Sequence, residues 1–278
     1  STMSTNLMHW WRMGELPGPP SFPTIIDQAQ TTTSGNQVEN GNFTEVGTEL
    51  ITNPEFQILN NIVRNSNFDE LGSEQVSYPS DVTTITEPWT LDDASGLYIY
   101  EDTGSGTGRL NFGTPIAAQV GQTYKLVINI TISSGNANLK FASGNSQTVI
   151  LPNTDLVNGE NIIYSTVTGV NGNVNRIFVS SGGTDNEFTL NSISVKQVDP
   201  NDRWTLGTGW AYGDSVVSCS TGNNTFQTSS AILTENSTYK FTFEISAYTS
   251  GNLKVDAGGS SSLQTFTGTG VKTGLFVA

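Results

Sequence analysis

Tyr124-Lys125-Leu126-Val127-Ile128-Asn129-Ile130-Thr131-Ile132 is the stretch on which the fold turns. Tyr124, Leu126, Ile128, Ile130 and Ile132 share one parity, and Lys125, Asn129 and Thr131 share the other. A period of two places the first set on one side of a pleated strand and the second on the other, whereas a helix would scatter both around its axis. The segment is therefore a half-buried strand.

The same pattern returns in Tyr239-Lys240-Phe241-Thr242-Phe243-Glu244-Ile245. Trp89-Thr90-Leu91 matches Trp204-Thr205-Leu206 at an offset of 115 (204 − 89), and Thr123-Tyr124-Lys125 matches Thr238-Tyr239-Lys240 at the same offset. Asn138-Leu139-Lys140 matches Asn252-Leu253-Lys254 at 114 (254 − 140). Two tandem copies of one β-module explain these matches. The first copy closes with Phe188-Thr189-Leu190-Asn191-Ser192-Ile193-Ser194-Val195-Lys196, where apolar parity shifts between Leu190 and Ile193 as at a β-bulge. No counterpart of that strand occurs before Ala278, so the second copy is expected to be incomplete.

Short strands joined by Gly, Asn and Ser turns predict an all-β chain of tandem antiparallel β-sandwich modules of the jelly-roll type. The expected division is an extended proline-rich arm over 1–37, a lead-in over 38–70, a first sandwich over 71–198 and a second over 199–278. In the arm, Pro17-Gly18-Pro19-Pro20-Ser21-Phe22-Pro23 fixes φ and removes donors, and the neighbouring Trp10 and Trp11 need a surface to bury against. The opening Ser1-Thr2-Met3-Ser4 has no initiator Met, which predicts an internal piece of a longer polypeptide.

The lead-in carries three related units, Val38 to Phe43, Ile51 to Phe56 and Val63 to Phe68. In each, a β-branched residue is followed by Asn two positions on and by Phe three positions later, a pattern suited to an Asx turn that drops the ring into a core. With two units lacking a sandwich of their own, Phe43, Phe56 and Phe68 join Trp10 and Trp11 as assembly candidates. A homo-oligomer, a trimer before other states, is expected, the alternative being a monomer with all three units against the first sandwich.

Composition removes several functions. The formal net charge of −14, from 25 acidic and 11 basic residues, repels a phosphate backbone, so no nucleic-acid partner is expected. No apolar run reaches the length of a membrane-spanning helix, so no membrane insertion is expected. The single histidine, His9, and the single cysteine, Cys219, supply neither a Ser-His-Asp or Cys-His set nor a zinc site. Asp92-Asp93, Glu101-Asp102 and Asp69-Glu70 are carboxylate pairs of the kind glycoside hydrolysis uses, and all are read as solvated surface acids. No catalytic residue, metal ligand or cofactor is assigned. A structural calcium is the one group the loops leave open, at Asp199, Asn201 and Asp202, against the plainer reading of that segment as a linker.

The phrase Trp204-Thr205-Leu206-Gly207-Thr208-Gly209-Trp210-Ala211-Tyr212-Gly213-Asp214, with Asn191-Ser192-Ile193-Ser194-Val195-Lys196, resembles carbohydrate-binding-module-like jelly rolls found in virion proteins of tailed bacteriophages. In those modules an Asn-x-x-Phe lead-in opens the unit, a Trp-Thr phrase follows, and a strand resembling Asp-Asn-Val-Ser-Val-Lys closes it. Asn65 to Phe68, Trp89-Thr90 and Asn191 to Lys196 fit, with Leu190 in place of the usual Asp. His9-Trp10-Trp11-Arg12-Met13-Gly14 resembles a phrase that adjoins laminin-G-like domains in long phage proteins. The resemblance implies a non-enzymatic head fibre, decoration or tail-associated protein on the virion surface, partnered by other virion proteins and attaching to host-surface glycans. Trp210, Tyr212, Tyr98 and Tyr100 are the glycan-binding candidates, as rings able to stack on sugar faces. Trp89 and Trp204, equivalent in the two copies, are read as core. The alternatives are an accessory module of a polysaccharide depolymerase or glycosidase, and a bacterial surface adhesin.

Overall fold

The computed structural model describes residues 61–102, 108–179, 185–220, 225–257 and 260–278. Strands and turns account for them, and none forms a helix long and apolar enough to cross a membrane. Trp10, Trp11, Phe43 and Phe56, with the proline-rich arm and the first two lead-in units, lie outside the described residues.

Twelve strands run from Leu71 to Val198: β1 (Leu71–Glu74), β2 (Val82–Thr86), β3 (Trp89–Asp92), β4 (Leu97–Glu101), β5 (Arg109–Ala118), β6 (Thr123–Ser134), β7 (Ala137–Ala142), β8 (Thr148–Leu156), β9 (Gly159–Thr166), β10 (Thr168–Gly169), β11 (Gly172–Val179) and β12 (Glu187–Val198). They build two six-stranded antiparallel sheets, one in the order β3-β4-β12-β6-β9 with β1 also on β12, the other in the order β10-β8-β7-β11-β5-β2. Inward side chains of both sheets form one core. Alternation decides which they are: Tyr124, Leu126, Ile128 and Ile130 of β6 are at most 2% exposed, and Ile132 is partly buried against the same cluster. Each such side chain contributes roughly 1.5–3 kcal/mol by leaving water. At one end Trp89, Tyr100 and Phe188 interlock, with Tyr100 and Phe188 stacked at 4.9 Å and Trp89 set edge-on to both.

The bulge in β12 sits where parity breaks. Leu190 opposes Ile130 and Ser192 opposes Asn129, leaving Asn191 as the extra residue. Its Nδ2 donates to Asn129 Oδ1 (2.9 Å) and Thr131 Oγ1 (2.8 Å), tying the bulge to β6.

Beyond Asp199 come β13 (Trp204–Leu206), β14 (Trp210–Tyr212), β15 (Val217–Cys219), β16 (Phe226–Thr228), β17 (Thr238–Ile245), β18 (Leu253–Ala257), β19 (Ser260–Phe266) and β20 (Gly270–Val277). The β17–β20 pairing reproduces β6–β9: Tyr239 faces Phe276 as Tyr124 faces Ser165, and Ala278 N donates to Ser237 O as Val167 N does to Gln122 O. The β18–β19 hairpin likewise repeats β7–β8. In the first copy β6 lies between β12 and β9, whereas β17 pairs with β20 alone among the described strands. Tyr239, Phe241, Phe243 and Phe276 therefore stay half-buried on the inward parity, and Val271, Leu275 and Val277 are 63–71% exposed on the other.

Candidate functional site

The third lead-in unit packs on the second copy, not in the first sandwich's core. The Phe68 ring lies 5.2 Å from Trp204 and 6.1 Å from Phe226, and Trp210 lies 4.4 Å from Phe226. Asn65 and Phe68 hold the left-handed φ (50° and 56°) that turns the chain there. Asn65 Nδ2 donates to Asp199 Oδ1 (3.0 Å), and Trp204 Nε1 donates to the Asn65 carbonyl (3.0 Å). Asp199, 3% exposed, also accepts at Oδ2 from Trp204 N (2.9 Å) and from the Tyr212 hydroxyl (3.0 Å). Burial foremost, with the Asp199 charge, pushes the Tyr212 hydroxyl well above its ordinary value. Asp199 is thus a buried acceptor whose two oxygens are taken by N–H and O–H donors; among the described residues no group of three or more His, Cys, Asp or Glu side chains is arranged for a metal.

This geometry also corrects the glycan candidates. Tyr100 is fully buried in the Trp89 and Phe188 cluster and Tyr98 is 8% exposed, so neither ring offers a face to a sugar. Alternation did not identify them, because Leu97 to Tyr100 is apolar or aromatic on both parities. Tyr212 spends its hydroxyl on Asp199, and Trp210 is half-buried against Phe226. The four candidates are divided between a core and a joint and form no common platform. Trp89 is core, at 1% exposed, while Trp204 is half-buried in the joint. Among the acids, Asp102 is 4% exposed with Tyr100 and Asn186 beside it, not a solvated surface group.

A different surface collects recognition groups. On the β11 sheet, Leu110, Phe112, Leu139, Phe141, Ile177 and Val179 point into the core, so their neighbours in sequence point outward. Register places Phe178 of β11 between Lys140 of β7 and Arg109 of β5, and Arg176 opposite Asn111. The exposed Arg109 guanidinium lies 5.7 Å from the centroid of the half-buried Phe178 ring. Arg176 donates from Nη1 to the Gly144 carbonyl (3.2 Å), whereas its Nε has no hydrogen-bond partner. That Nε and the amide oxygens of Asn111 and Asn138, also without partners, are buried from solvent beneath the face. Beside Arg176, the turns after β7 and β10 enclose a shallow recess of about 380 Å³ lined by Ser143, Asn145, Gln147, Thr148, Asn171 and Asn173 among others. The ring lies with Lys140 and Arg109 toward the Val179 end of β11, and the recess lies toward its Gly172 end, with Arg176 between them. The readable signal was a Phe on the outward parity of Asn175-Arg176-Ile177-Phe178-Val179.

The outer face of the β6 sheet is engaged by the second copy. Lys125 Nζ donates to Asp214 Oδ1 (2.9 Å), the Tyr164 hydroxyl donates to the same oxygen (3.0 Å), and Lys125 lies 5.5 Å from the Tyr164 ring centroid. The Lys125 hydrogen bond holds the Asp214 carboxyl below the usual carboxylate range, and the same bond raises the lysine.

No protein-family model matches the chain. No curated protein matches it either. Among solved structures it is similar to a Podospora anserina GH26-CBM35 β-(1,4)-mannanase, at 16% identity and a TM-score of 0.31 over 44% of this chain and 27% of that one. It is also similar to the apo form of BiXyn10A CBM1, at 13% identity and a TM-score of 0.28 over 48% of this chain and 93% of that one. The matched region spans about a quarter of the mannanase's length. At such identities and TM-scores neither likeness carries an argument about function.

Proposed function

We propose that the chain is a non-enzymatic, glycan-binding component of a bacteriophage virion, carried on the particle surface as a head fibre, decoration or tail-associated protein. The glycan reading is carried by the outward row Lys140, Phe178 and Arg109. An aromatic ring with amide and cationic donors around it suits a sugar, whose C–H face stacks on the ring while its hydroxyls take the polar groups. The virion reading is supported by the module phrases around Trp204 and Asn191, and a homo-oligomer, a trimer first, by the lead-in repeat.

Affinity electrophoresis of the full chain through gels containing mannan, xylan, polygalacturonate or poly(glycerol phosphate) tests the site. Retardation in at least one gel, lost on Phe178→Ala with the melting temperature retained, is expected; unretarded migration in every gel overturns the reading. Mass spectrometry of purified particles tests the location, and absence from the virion removes it. Reducing-end release by the chain would instead support a depolymerase. Light scattering tests the oligomer, which a stable monomer would remove.

A further inference from the structure

We infer that the outer face of the β11 sheet binds an anionic polysaccharide, one bearing carboxylate or phosphate groups along its length. The inference rests on the glycan reading above and narrows it by charge. Eleven basic residues serve a chain of net charge −14, and three of them, Arg109, Lys140 and Arg176, share this one face. Arg176 opposes Ala142 on β7 and Asn111 on β5, so Lys140 and Arg109 are each its diagonal neighbours. Diagonal positions on adjacent strands lie about 7–8 Å apart, and the outer two strands roughly 9–10 Å apart. The three cations form a triangle around Phe178.

Like charges this close cost stability unless something offsets them. Elsewhere the protein supplies the offset itself: among the described residues the ion pairs are Lys125 with Asp214 and Arg203 with Glu70, and neither lies on this face. Two carboxylates border the face: Asp155, opposite Asn138, accepts at Oδ1 from Asn138 Nδ2 (2.7 Å), and Asp81, beside Gly113 of β5, accepts at Oδ2 from Thr114 N (2.9 Å). Arg109 is exposed, and a guanidinium fork matches a carboxylate or phosphate with two parallel hydrogen bonds. The missing counter-charge belongs to the ligand. A nucleic acid is the poorer fit, because its continuous phosphate charge would meet the repulsion of the remaining acidic surface.

The test uses the full chain with four probes: polygalacturonate, its fully methyl-esterified neutral form, poly(glycerol phosphate) and single-stranded DNA. Binding to one or both anionic polymers is expected, weakening as sodium chloride rises. Lys140→Gln with Arg109→Gln should weaken it roughly tenfold or more, the scale of one charge-assisted contact, at a melting temperature no lower than the parent's. The ester should bind no better than the double variant does. Preference for polygalacturonate or for poly(glycerol phosphate) names the anionic group. Equal binding of ester and acid, or Phe178-dependent binding of neutral mannan that ignores Lys140→Gln and Arg109→Gln, overturns the inference and leaves the glycan reading intact. Binding to none of the polysaccharides overturns both, and DNA binding stronger than either anionic polymer's overturns the choice of ligand class.

Discussion

Gly108 shows how one residue sets the tolerance of the aromatic end of the core. A Cβ there would meet Trp89 Cδ1 at 2.7 Å and Tyr100 Cε2 at 2.8 Å, and both rings are packed on every side. Gly108→Ala is expected to cost about 1–3 kcal/mol by overpacking, seen as a lower denaturant midpoint at unchanged slope. Tyr78 makes a second residue-scale prediction. Its hydroxyl donates to the Leu190 carbonyl and accepts from Tyr98 N (3.2 Å), and burial foremost pushes it up to about 12. A folded value above the unfolded one means that folding favours the neutral phenol. That stabilisation is complete below pH 10 and is lost as pH climbs from about 10 to 12. Burial raises Tyr124 in the same direction. Chemical denaturation across that window should show falling stability, and Tyr78→Phe should fall less steeply while beginning lower, having lost the bond to Leu190.

At the scale of strands, much was legible because β-alternation is a local rule. The inward face of β6, the bulge at Asn191 and the correspondence of β17 with β6 all follow from parity and spacing in the sequence. Tyr98 and Tyr100 were not legible, since β4 is apolar on both parities and only its neighbours in the sheet decide which side is covered. The Lys140, Phe178 and Arg109 row was half legible: parity turns each outward, but their adjacency depends on the order β7-β11-β5, which joins residues far apart in sequence. The edge of β17 away from β20, on which no described strand pairs, yields a prediction at this scale. Ala278 corresponds to Val167 (278 − 167 = 111), so a repeat of residues 168–198 appended directly behind Ala278 carries β11 and β12 equivalents in register. An unpaired strand edge accepts a further strand, and the new pairing should slow hydrogen exchange of alternate β17 amides and raise the melting temperature. Unchanged exchange across Thr238–Ile245 would show that the repeat does not extend to the closing strands.

Over the whole molecule, residues 61–278 form one compact unit in which the two copies share the joint centred on Asp199. Composition and repeats predicted two modules but gave no sign of this joint, because Asn65, Phe68, Asp199, Trp204 and Phe226 meet only through long-range packing. Asp199→Asn replaces one of two acceptor oxygens by a donor, which then faces either Asn65 Nδ2 or the Trp204 N and Tyr212 hydroxyl pair, all of which offer protons. The change should destabilise the joint by about 2–3 kcal/mol, the cost of leaving buried donors unmatched. Faster proteolysis between residues 199 and 213, with the β6 and β11 sheets still protected, is the expected readout.

The position of Phe68 has a mechanical consequence. The chain passes through Asn65 to Phe68 before entering the first sandwich and through Trp204 to Phe226 after leaving it, and these segments are bonded to each other. The sandwich is a closed loop clipped at its base. Tension between residue 61 and Thr228 therefore runs through the Phe68, Trp204 and Asn65 contacts and bypasses β1 to β12, leaving the β11 sheet face unstrained while the clip holds. Single-molecule stretching should record a small first extension when the clip opens and a much larger second one when the sheets part. Asn65→Ala should weaken the first event alone, so that pull on the protein is felt at the base of the binding module before it is felt at its surface.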